Sequence, residues 1–111
     1  RAYNLSQDET PTLRQLIAEL ARLLGAPARV REVAEADLAG AGLELRAVSP
    51  FSSRWMSCLD PGLAKAELGF RHEPLTEYLG RIVASFLAHP PATPPPQYAR
   101  RPDELALASK A

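Results

Sequence analysis

Asp60-Pro61-Gly62-Leu63-Ala64-Lys65-Ala66-Glu67-Leu68-Gly69-Phe70, followed by Pro74-Leu75, is the stretch from which the fold is read. Asp60 carries a carboxylate that can accept from the unpaired amides of a first helical turn. Pro61 suits the first helical position, where its missing N–H is not needed. Ala64 to Leu68 favour helix, and Gly69 is the residue type that stops one in the left-handed conformation. Phe70 to His72 then exit in extended form toward Pro74. Beyond it, Leu75, Leu79, Ile82, Val83, Phe86 and Leu87 recur at helical spacing. They predict a second helix from about Leu75 to His89.

Upstream of this stretch the periodicity is equally readable. Leu13, Leu16, Ile17, Leu20 and Leu24 form one apolar stripe, with Arg14, Glu19 and Arg22 off it. Thr12 and Gln15 have the spacing of a capping box, and Thr10 with Pro11 is an alternative start. Gly25 and Pro27 end this helix. Ala2 to Leu5, Ala28 to Val33 and Arg54 to Leu59 read as short strands, and Ala36 to Leu45, interrupted by Gly40 and Gly42, as a short weak helix and a loop. Six of the eleven prolines lie between Pro90 and Pro102, which predicts an extended tail without helix or central strand. The expected fold class is therefore α+β: two amphipathic helices, one short capped helix and two or three short strands. The expected organisation is a domain over residues 1–89 and a proline-rich tail over 90–111. So few short strands make a poor sheet by themselves. They would be steadier against another domain.

Composition narrows the function. With 13 basic and 13 acidic residues the formal net charge is zero, which offers no concentrated positive field for nucleic acid. No apolar run approaches the roughly 20 residues that span a bilayer, so neither nucleic acid nor membrane is an expected partner. Only Lys65 and Lys110 are lysines; the other basic residues are arginines, a bias that fits a GC-rich genome or phosphate binding by the planar guanidinium. The single cysteine, Cys58, permits no internal disulfide and reads as a small buried hydrophobe. Without a signal peptide ahead of Ala2, the expected location is cytoplasmic. The abrupt opening on a strand-like run reads as a cut from a longer protein.

Several of these pieces, in this order, resemble the C-terminal substrate-binding part of the extended short-chain dehydrogenase/reductases, the NAD-dependent epimerase/dehydratase family. Tyr3-Asn4-Leu5 matches its aromatic-Asn-aliphatic strand. Thr12-Leu13-Arg14-Gln15-Leu16, ending at Leu24-Gly25, matches the following helix. Asp60, Ala64, Glu67, Leu68, Gly69 and Phe70 match a late motif, in which Gly62 and Leu63 replace the family's Ser and Lys. The resemblance covers about residues 2–89. It implies the substrate domain of an otherwise Rossmann-type enzyme, an oxidoreductase or isomerase in which NAD or NADP binds a separate N-terminal domain. The family's Tyr-x-x-x-Lys pair is missing: Tyr3, Tyr78 and Tyr98 are followed four residues later by Gln7, Ile82 and Pro102. By resemblance, the partners are the protein's own N-terminal Rossmann domain and a small molecule, commonly a nucleotide sugar or a related hydroxy or carbonyl compound. Neither catalytic nor cofactor-binding residues are expected within these residues.

The candidate substrate-binding residues are Arg54, Ser49, Phe51 and Ser52. The family's sugar-nucleotide enzymes often place an arginine shortly before the late Asp, and Arg54 stands six positions before Asp60. It reads either as a phosphate partner through charge-assisted bonds or as a surface arginine at a strand edge. Phe51 could line a ring pocket with Ser49 and the turn residues Ser52 and Ser53, while Trp55 reads as a core anchor. Asp60 reads as a cap, Glu67 as a helix-surface charge and Asn4 as a structural hydrogen-bonding residue. His72 has no second ligand for a metal. A reading from another class is a free-standing interaction module using helix faces and Pro91-Ala92-Thr93-Pro94, which has the P-x-x-P form.

Overall fold

The computed structural model describes residues 1–48 and 58–110. Six α-helices lie within them: α1 Leu13–Leu24, α2 Glu35–Gly40, α3 Leu45–Val48, α4 Gly62–Leu68, α5 Leu75–Ala88 and α6 Arg101–Ala108. A 3-10 helix, Pro96–Arg100, leads directly into α6. Contacts divide the chain into two compact units. One comprises Arg1–Ala28 and the described part of Ser57–Pro90; the other comprises the described parts of Arg29–Met56 and Pro91–Ala111.

In the first unit, both long helices begin and end where their chemistry says. Thr12 Oγ1 accepts from the Gln15 N–H at 3.2 Å, and Gln15 Oε1 accepts from the Thr12 N–H at 2.8 Å. This completes the capping box and selects Thr12 over Thr10 as the start of α1. Gly25, at φ 63°, closes α1 in the left-handed conformation, with the Ala26 N–H reaching back to the Ala21 carbonyl. Gly69, at φ 64°, does the same for α4, with the Phe70 N–H returning to the Ala64 carbonyl. Asp60 caps α4 from one residue farther out than expected. Pro61 itself is the boundary residue, its carbonyl accepting from Lys65 N–H, while Asp60 Oδ1 accepts from the Gly62 N–H at 2.8 Å.

Helices α1 and α5 pack against each other. The Leu23 side chain lies over Gly80, where an added Cβ would meet Leu23 Cδ2 at 4.0 Å. Pro61, Ala64, Leu79 and Val83 are buried. Burial of Leu79 and Val83 contributes roughly 1.5–3 kcal/mol each. The α1 stripe is only half-covered: Leu16, Ile17 and Leu20 are intermediate, while Leu13 and Leu24 are exposed; Leu23, outside the expected stripe, is also intermediate. In the second unit α2 and α3 make contact, the 3-10 helix packs on α6, and Leu43 is buried.

The expected α+β class is incorrect: the structure is helical, and no strand forms among the described residues. Residues 2–5 and 28–33 are non-helical, as the sequence suggests, but neither finds a neighbour for a ladder. Tyr3 and Asn4 instead spend their side chains on α4 and its approach. Of the third expected strand, residues 54–57 lie outside the described residues, and Cys58 and Leu59 join no ladder. A strand without a partner leaves its backbone groups to water, so β-like composition alone cannot hold one.

The tail also departs from expectation. Residues 90–95 carry no helix, but 96–108 are helical. Pro96 and Pro102 sit in the first turns of their helices, where a missing amide costs nothing. Asp103 and Glu104 add favourable negative charge in the first turn of α6. Cys58, expected to be buried, is exposed. Among the described residues no helix is long and apolar enough to cross a membrane.

Candidate functional site

The four residues expected to bind substrate, Ser49, Phe51, Ser52 and Arg54, lie outside the described residues, as do Ser53 and Trp55. What the structure does bring together is a polar cluster in the first unit that joins three segments far apart in sequence. It consists of Asp8 and Glu9 from the loop ahead of α1, Lys65 from α4, and His72 from the link between α4 and α5.

Lys65 is placed by the Asp60 and Gly69 caps, which fix the span of α4. His72 follows three residues after Gly69, on a non-helical link that ends at Pro74. Asp8 and Glu9 precede Thr12 on a loop held at its other side by Asn4 and Ser6. Asn4 Nδ2 donates to the Asp60 carbonyl at 3.2 Å, and Ser6 Oγ donates to the Leu59 carbonyl at 3.0 Å. Tyr3 Oη donates to Glu67 Oε2 at 2.8 Å, and Arg1 pairs with Glu67 Oε1. Glu67 is thus a tie between the N-terminal run and α4, beyond a bare surface charge.

One oxygen collects two donors. Asp8 Oδ2 lies 2.5 Å from Lys65 Nζ and 2.9 Å from His72 Nε2. The opposite ring nitrogen, Nδ1, lies 2.9 Å from the Glu73 carbonyl. Nδ1 faces the Glu73 carbonyl, while Nε2 stands between the Asp8 carboxylate and, at 3.2 Å, the Asp8 N–H, so the imidazolium meets the carboxylate and the ring protonated at Nδ1 alone meets the amide. Its Nδ1 is also 3.6 Å from Glu9 Oε2. Glu9 Oε1 accepts from the Leu75 N–H at 3.1 Å, so Glu9 supplies the cap that Pro74 cannot. Glu9 Oε2 is buried and has no hydrogen-bonding partner.

The electrostatics follow from these distances. The hydrogen bonds from Lys65 and then His72 hold the Asp8 carboxyl below its ordinary range. The Leu75 amide does the same for Glu9. The Asp8 hydrogen bond and the Glu73 carbonyl raise the affinity of His72 for its proton, with Glu9 adding a smaller Coulombic pull.

Chemically, this cluster fastens rather than reacts. A general base needs a ring nitrogen free to receive a proton, and both are engaged. Lys65 spends its charge on Asp8. Among the described residues no group of three His, Cys, Asp or Glu side chains is placed to hold a metal ion. Beside the cluster lies an open depression of about 520 Å³ lined by Asp8, Lys65, Gly69, Phe70, Arg71 and His72. A second open depression, of about 410 Å³, runs along α5 between Tyr78, Arg81, Ile82, Ser85, Phe86 and His89. Its three apolar members stand at i, i+4 and i+8 on one helix face and are each about half exposed.

Sequence reasoning treated His72 as solitary and passed over Asp8 and Glu9. Their partners are 57 to 66 residues away, a separation that leaves no local pattern to read. Comparison of the chain with family models, curated proteins and solved structures finds no match in any of the three.

Proposed function

We propose that this chain is the substrate-binding and specificity portion of an NAD(P)-dependent epimerase, dehydratase or reductase. The substrate would be a nucleotide sugar or a related hydroxy or carbonyl compound. The nicotinamide cofactor and the proton-transferring groups would be carried by a Rossmann-type domain outside these 111 residues. The observation that carries this reading is the meeting of two separated motif segments. Asn4 and Tyr3, from the aromatic-Asn-aliphatic run, bond to Asp60 and Glu67 of the late motif. Residues 56 and 64 positions apart thereby act as one unit, as parts of a shared signature should.

A second reading, a protein-interaction module, is favoured by the exposed Tyr78, Ile82 and Phe86 face of α5. Large exposed apolar side chains aligned on one face mark surfaces that another chain or domain covers.

Two measurements separate these readings. Nucleotide sugars titrated calorimetrically into the full-length gene product should bind, and Arg54→Ala should weaken that binding on the order of tenfold or more, the cost of a charge-assisted hydrogen bond. Unchanged affinity removes Arg54 from the site. The 111-residue chain alone should show no rise in melting temperature with NAD; a clear rise contradicts the division of labour.

A further inference from the structure

We propose that His72 is a proton-operated clasp: protonated, it tightens the hold of the Asp8–Glu9 loop on the start of α5, and on losing its proton it loosens that hold. Three features of the geometry carry this. First, His72 joins both ends of the contact, meeting Asp8 through Nε2 and standing 3.6 Å from Glu9 through Nδ1. Second, Glu9 Oε2 has no hydrogen-bonding partner within its partly exposed side chain, and the His72 ring is the group of opposite charge that stands beside it when protonated. Third, Glu9 is the side-chain cap of α5, through Leu75 N–H, so whatever holds Glu9 also holds the first turn of that helix.

The groups facing the ring can be named. Asp8 and Glu9 approach from the loop, and the Glu73 carbonyl from the link itself. Lys65 of α4 shares the Asp8 oxygen and opposes protonation at longer range, and Arg71 lines the depression alongside. The Glu73 carboxylate is turned away, paired with Arg81. Two carboxylates and a carbonyl thus confront one imidazole.

The Asp8 N–H lies 3.2 Å from the same Nε2. That nitrogen can accept this bond only after it loses its proton. Deprotonation therefore exchanges a charge-assisted bond to the carboxylate for a weaker one from the amide, and leaves Glu9 Oε2 facing a neutral ring. The fastening contribution is complete below the ordinary histidine value of about 6.5 and disappears as pH rises through the higher value that His72 has when folded. At the acid end the sign reverses. Asp8 and Glu9 titrate below their ordinary values, so their contribution is present above those values and is lost as pH falls through the lowered ones. The clasp is tightest between these limits, at mildly acid pH.

The test is an NMR titration of the 111-residue chain in a His89→Asn background, following the His72 ring protons and the exchange of the Leu75 amide, corrected for the intrinsic effect of pH. The His72 midpoint should lie above that of an ordinary histidine. Leu75 protection should fall with the same midpoint. Each tenfold in the fastening equilibrium moves that midpoint by about one pH unit. Asp8→Asn should lower the midpoint, and His72→Asn should remove the step in Leu75 protection. A His72 midpoint at or below the ordinary value, Leu75 protection that does not follow it, or an Asp8→Asn variant with the parent's midpoint overturns the proposal. The ring titration uses a chain with His72 intact, so it decides the matter even if His72→Asn fails to fold.

Discussion

Single residues set the ends of α4, and Gly69 does so through backbone geometry alone. Its φ of 64° is a conformation that an L side chain enters only with strain, and no atom stands within 4 Å of the space a Cβ would take. Gly69→Ala should therefore cost about 1 kcal/mol through backbone strain, with no added clash. For a unit of this size that is a fall of about 4–8 °C in melting temperature. Thr12→Ala should cost a similar amount for a different reason, the loss of a cap that satisfies one amide and orients Gln15 toward another. Thermal unfolding of the two variants checks both. A Gly69→Ala variant as stable as its parent would show that the left-handed turn is not held in solution. Both positions are readable from sequence because caps and glycine stops act within four residues of where they are written. The Asp8, Glu9, Lys65 and His72 cluster is not, because nothing in the composition of residues 8–9 specifies which helix will come to lie beside them.

At the level of helices, sequence periodicity located α1 and α5 well and sorted their faces only in part. The expected apolar face of α5 comprises Leu75, Leu79, Ile82, Val83, Phe86 and Leu87, but full burial reaches only Leu79 and Val83. Periodicity reports which side chains share a side, and the neighbouring helix decides how wide a strip of that side is covered. Helix α1 covers the strip over Gly80 and leaves Tyr78, Ile82 and Phe86 open. The expected strands failed for a related reason: pairing needs a second strand, which local alternation cannot supply. Helix α6 runs against the proline count of this segment because position, not number, decides: Pro96 and Pro102 stand in first turns, where no amide is needed. The unequal burial along α5 leads to a paired prediction. Leu79→Ala should destabilise the 111-residue chain by about 2–5 kcal/mol. Ile82→Ala should cost under about 1 kcal/mol, because the side chain is already half solvated. Chemical denaturation of both variants compares them directly. Equal losses would mean that the α5 face is covered in the isolated chain. A much larger loss for Ile82→Ala in the full-length gene product would mean that another domain covers it there.

For the molecule as a whole, the division into two compact units assigns the C-terminal segment a structural role that its prolines conceal. The described part of Pro91–Ala111 belongs with the described part of Arg29–Met56, whereas the long helices α1 and α5 belong to the other unit. The first unit has its own buried residues, its own helix pair and the polar clasp, all within Arg1–Ala28 and the described part of Ser57–Pro90. The second has one buried large apolar side chain among its described residues, Leu43, and short helices that are marginal in isolation. Removing residues 91–111 takes away α6 and the 3-10 helix, which are grouped with residues 29–48 in the second unit. The expected result is a truncated chain whose residues 29–48 are cleaved readily by protease while residues 1–28 and 58–90 stay protected. Limited proteolysis read by mass spectrometry distinguishes the cases. Cleavage spread evenly over both units would show that they fold as one cooperative body. An unchanged pattern would show that the C-terminal segment lends no support to residues 29–48.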